Sequence, residues 1–169
     1  MSIPTHKPIV DYFQSLNELN VNFPEKSFSR MDLNEIMGQF RTGVNFPHLA
    51  VESHDGNLDE SSHSNNVNGR TFAFTVYQNP KAGNFAQQNE MLDQCERLGL
   101  QIIARMRHDA NDPDHILYRR FETNSVNYIK VGPVFNEELY GYRFTGVIKG
   151  TESLKPNAAD WSDLDTICP

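Results

Sequence analysis

NFAQQNEMLDQCERLGLQIIARMRH, residues 84–108, is the longest stretch of the chain with a single helical reading. Phe85, Leu92, Cys95, Leu98, Leu100, Ile102, Ile103 and Met106 recur mostly at three- and four-residue steps. Gln87, Gln88, Glu90, Asp93, Gln94, Glu96, Arg97 and Arg105 fill the gaps, which predicts an amphipathic helix with one face to bury. Asn84 is placed to accept the first free backbone amides as an N-cap, and Gly83 turns the chain before it. Arg105, Arg107 and His108 stand where cations meet the negative end of the helix dipole. Such a face needs a broad apolar surface beneath it. The strands expected on either side, with Phe72 and Phe74 before the helix and Tyr142 and Phe144 after it, supply that surface.

The segments around the helix are shorter. Residues 71–77 alternate, with Phe72, Phe74 and Val76 on one face and Thr71, Ala73, Thr75 and Tyr77 on the other, which predicts a strand. Residues 139–149 alternate in the same way and pair in expectation with residues 126–134. Tyr140, Tyr142, Phe144, Gly146 and Ile148 then form a row under the helix. Residues 46–52 read as a short strand near an edge, because Pro47 lacks a ladder donor. Residues 8–19 read as a first helix with Ile9, Tyr12, Phe13, Leu16 and Leu19 on one side and Pro8 in its first turn. A second helical pattern starts at Ser29 and carries Leu33, Ile36, Met37 and Phe40, closing at Gly43. Residues 53–69, SHDGNLDESSHSNNVNG, offer only Leu58 and Val67 to a core and read as a mobile excursion between two strands. After the long helix, Asp112 and Pro113 open either a short helix to Tyr118 or Phe121, or give way to a strand from Ile116. The expected fold is α+β: a mostly antiparallel sheet with helices packed on one face, one domain over residues 1–150, and a tail over 151–169 docking through Trp161 and Leu164.

Composition narrows the function classes. The chain has 169 residues, enough for one domain with a real core, and 38% hydrophobic against 22% charged residues. Its mean hydropathy of -0.58 reflects the Asn, Ser, Asp and Gln of the wet loops. A net charge of -7 argues against a general nucleic-acid binder, since no basic stripe neutralises phosphates. No apolar run approaches the roughly 20 residues that cross a bilayer, and MSIPTHKPIVDYF lacks a signal-peptide layout, so a cytoplasmic, membrane-free protein is expected. Cys95 falls on the apolar side of the long helix and Cys168 in the tail, and no disulfide between them is expected.

Three constellations invite chemistry. Residues 55–60 place oxygen donors at alternate positions as a calcium loop does, but Glu60 and Asn66 occupy the sixth and twelfth positions where glycine and a bidentate glutamate belong. His48, His54 and His63 flank those carboxylates at spacings that match no zinc pattern. His108, Asp109, Asp112, Asp114 and His115 could run acid–base or metal chemistry, the basis of an alternative reading as a small metal-dependent enzyme or ligand-binding domain. A helix stop, a loop and a new N-cap explain the same residues without a ligand. No phosphate loop, nucleophile elbow, C-x-x-C or H-E-x-x-H is present. The residues themselves therefore call for no catalysis, cofactor or metal.

FPHLAVES (46–53), RTFAFTVYQNP (70–80), the helix of residues 84–108 and NYIKVGPVFNEELYGYRFTGVIKG (127–150) follow an order and texture that resembles the small tail-terminator and tail-completion proteins of long-tailed bacteriophages. The similarity spans about residues 5–150; the helical pattern from Ser29 and the tail lie outside it. It implies a non-enzymatic virion protein that closes into a homo-oligomeric ring, usually a hexamer, on the tail tube. Its partners are the tube and the neck or head-completion proteins, with neither specific nucleic acid nor membrane. Another neck connector or a tube subunit is the nearest alternative. The implied location is the host cytoplasm during assembly and the tail–neck junction of the virion. A ring needs heterologous contacts, and the residues expected at the oligomer and partner surface are Tyr77, Arg119, Arg120, Tyr140, Arg143 and Trp161.

Overall fold

The computed structural model describes residues 3–30, 43–62, 65–134 and 139–163. In chain order these form α1 (His6–Leu19), β1 (Phe28–Arg30), β2 (His48–Ser62), β3 (Asn65–Gln78), α2 (Phe85–Asp109), β4 (Phe121–Val134) and β5 (Leu139–Glu152), with a 3-10 turn at Ala158–Asp160. The fold is α+β, and its sheet is mixed rather than purely antiparallel: the order is β1-β2-β3-β5-β4, with β1 parallel to β2 and the other ladders antiparallel.

The alternation in β3 decides which face carries the core. Phe72, Phe74 and Val76 join Leu49 and Val51 of β2 and Phe144 and Ile148 of β5 in one buried cluster. Ile9, Tyr12, Phe13 and Leu16 of α1 and Cys95, Leu98, Ile102, Ile103 and Met106 of α2 complete it, so both helices cover the same side of the sheet. Phe13 sits 5.6 Å from Phe72 and 5.4 Å from Phe74, while Phe144 stacks on Phe74 at 5.1 Å and on Tyr128 at 5.1 Å. On the other face Ala50, Tyr77 and Leu139 form a smaller buried group with Phe46, Val131 and Val134.

α2 starts as the sequence predicts, with Asn84 Oδ1 accepting the Gln87 amide at 3.1 Å, and it ends one residue later than expected, at Asp109. Phe85 and Leu100, counted with its apolar positions, are exposed, because they fall outside the arc that meets the sheet. That arc is centred on Gly99. A Cβ there would lie 1.9 Å from Phe144 Cε2 and 2.3 Å from Cζ, so the ring rests where a side chain would be. At the far end Gln78 Nε2 donates to Gln94 Oε1 at 2.9 Å, joining the end of β3 to the helix.

Four expectations change. Residues 53–62 and 65–69 belong to a strand pair: β2 and β3 remain in register from Asp55↔Thr71 to Glu60↔Asn66, with shifts between Glu52 and Asp55 and between Glu60 and Ser62. Backbone ladder bonds carry this arm, in which Leu58 is exposed and Val67 half-buried, and residues 149–152 of β5 back it from the other side. Ser29 lies within β1 and does not cap a helix, because pairing with Ala50 holds it extended; Leu33, Ile36, Met37 and Phe40 lie outside the described residues. Between Ala110 and Arg120 the chain makes consecutive turns, neither a helix from Asp112 nor a strand from Ile116, and β4 begins at Phe121. Trp161 is exposed rather than docked, and Leu164 and Cys168 are outside the described residues.

Gly99→Ala tests the helix–sheet contact. Overpacking of a filled core costs about 1–3 kcal/mol, or roughly 2–10 °C in Tm for a chain of this size, whereas Gln101→Ala on the exposed side changes Tm by no more than about 2 °C. Thermal denaturation followed by circular dichroism measures both, and equal Tm values for the two variants would contradict the packing described.

Candidate functional site

The chemically richest group forms where the last turn of α2 meets α1. Asp109, at the helix end, is buried. Its Oδ2 accepts the Tyr12 hydroxyl at 2.8 Å, and its Oδ1 accepts Arg105 Nε at 2.8 Å and His108 Nδ1 at 3.1 Å. His115 returns from the turns with Nε2 3.8 Å from Oδ2 and its ring edge-on to Tyr12 at 5.0 Å. His115 Nδ1 accepts the Leu117 amide, which leaves the proton of the neutral ring on Nε2, facing the carboxylate.

Burial opposes ionisation of Asp109, but the hydrogen bonds from His108, Arg105 and Tyr12 together outweigh it and hold the carboxyl below the usual carboxylate range. Burial first, then the bond to Asp109, pushes the Tyr12 hydroxyl well above its ordinary value. The pair is thus a fixed anion and a fixed donor. A carboxylate so stabilised is a weak general base, and its oxygens are already engaged; the arrangement fastens α1 to α2.

The His/Asp cluster read from the sequence therefore divides. His108, Asp109 and His115 come together, while Asp112 accepts the Asp114 amide at 3.0 Å within an exposed turn. Among the described residues no group of three or more His, Cys, Asp and Glu is placed to hold a metal. The histidines of the β2 region also separate. His48 is fully buried on the Tyr77 face with Nε2 2.8 Å from Ser29 Oγ, and burial pushes it down to about 4. His54 meets Arg70 and His6 on the helix side, and His63 is outside the described residues. Asp55 pairs with Thr71 in a ladder, so residues 55–60 run extended rather than as a calcium loop.

The residues expected at a partner surface are scattered. Tyr77 is buried between His48 and Gly141 on the second face, a correction that follows from its neighbours in the sheet. Arg143 makes a two-pronged bond to Glu52, Nε to Oε1 at 2.6 Å and Nη2 to Oε2 at 2.7 Å, so its charge is spent within the chain. Arg120 Nη1 donates to the Ile116 carbonyl at 2.6 Å. Arg119 is exposed with its guanidinium 5.1 Å over Tyr118, Tyr140 is half-buried near the start of β5, and Trp161 is exposed. Sequence reasoning missed Tyr12 and Asp109 as partners, since 97 residues separate them, and it missed the meeting of His6, His54 and Arg70.

Cys95 is a fully buried free thiol, pushed up to about 12 by burial, as a core position implies. No described helix is long and apolar enough to cross a membrane. No protein-family model and no curated protein matches the chain.

The two buried acid–base groups predict a two-stage loss of stability on acidification. His48 is harder to protonate in the native state than unfolded, so the unfolded chain binds more protons between about pH 6.5 and 4 and stability falls by about 3 kcal/mol across that window. Asp109 has a lowered native value, so its contribution is present above the ordinary carboxylate range and is lost as pH falls below about 4. Urea unfolding from pH 8 to 3 should show His48→Gln flattening the first stage and Asp109→Asn the second. Tyr12→Phe should cost about 1.5–3 kcal/mol at pH 7, the worth of a hydrogen bond to a charged group.

Proposed function

We propose that this chain is a bacteriophage virion structural protein, a tail terminator that caps the tail tube at the neck and joins it to the head by forming a homo-oligomeric ring, without catalysis. One observation carries the reading: the sheet ends in two dissimilar strand edges. β4 closes one side over Phe121–Val134 with Tyr128 and Ile129 exposed, and β1 pairs with only Leu49–Val51 of β2, leaving the outer edge from Glu52 to Ser62 without a strand partner among the described residues. Unpaired strand edges are ready templates for another chain. Because the two edges differ, joining one to the other is heterologous, the geometry from which closed rings are made.

The order of elements supports the same reading, with a long amphipathic helix, α2, lying across the sheet between a central strand and a closing hairpin in a tail-terminator-like arrangement. The surface for association is assigned to Tyr128 and Ile129 of β4 and to Arg119 and Trp161, in place of the buried Tyr77 and the internally paired Arg143. The site of action is the tail–neck junction, with the tail tube and neck proteins as partners.

Light scattering at rising protein concentration, with negative-stain images in the presence of tail tubes, tests this. Rings or capped tubes are expected, and Ile129→Lys should abolish them while leaving the monomer's circular dichroism and Tm within about 2 °C of the parent. A protein that stays monomeric at high concentration and does not bind tubes overturns the reading.

A further inference from the structure

We draw no further inference here: the strongest candidate, the apolar groove between the end of α1 and the C-terminal half of α2 lined by Leu16, Leu19, Val21 and Ile102, carries nothing, because nothing in the structure shows what covers it and Arg105, the one charged residue in its lining, is already bonded to Asp109.

Discussion

The Phe144 ring lies against the backbone of α2 at Gly99, and the rest of the fold is arranged around that approach. Because no Cβ stands at Gly99, the helix sinks onto the sheet until the ring fills the gap, with Phe74 stacked on one side and Tyr128 on the other. Packed interiors tolerate neither voids nor added atoms, so the depth of the helix sets the spacing available to everything beside it. Phe13 of α1 then wedges against Phe72 and Phe74, and Leu98, Ile102 and Met106 seal the remaining surface. One face of the sheet is committed entirely to holding two helices.

Electrostatics secures what packing positions. Asp109 draws in Tyr12 from α1, Arg105 and His108 from its own helix and His115 from the following turns. An ion in a buried position is tolerable only when its oxygens are satisfied; here the donors come from three separate segments, so the carboxylate closes the base of the helix pair. A second link of this kind, Glu52 to Arg143, spans β2 and β5 across β3 on the opposite face. The polar residues that looked most chemical in the chain are thereby mostly consumed as internal ties, which is why the association we propose is placed at the strand edges.

Those edges are a consequence of the same design. A helix pair anchored to a single sheet face leaves the strand edges to the borders, and among the described residues β1 pairs with β2 only as far as Val51. The association we propose through these borders leaves the shared core undisturbed.

Much of this was legible in the residues. The three- and four-residue steps and the Asn84 cap define α2, and the strict alternation of residues 71–77 separates the core face of β3 from its other face, because both patterns reflect local geometry that neighbouring residues impose on one another. The sequence by itself also placed Cys95 in the core and marked α1 through Ile9, Tyr12, Phe13 and Leu16. What only the tertiary structure decided depends on distant partners. Residues 53–62 became a strand because β3 offered a ladder and the bonds run through backbone, which carries no side-chain signature. Ser29 became extended because β2 lay parallel beside it. Tyr77 went inward because His48 and Gly141 became its neighbours, and Asp109 turned from a helix-end acid into a buried hub because Tyr12, 97 residues away, arrived to donate to it. A periodic pattern can specify an element and its faces; which polar group ends up beside which is set by the packing of those faces, and that exists only in three dimensions.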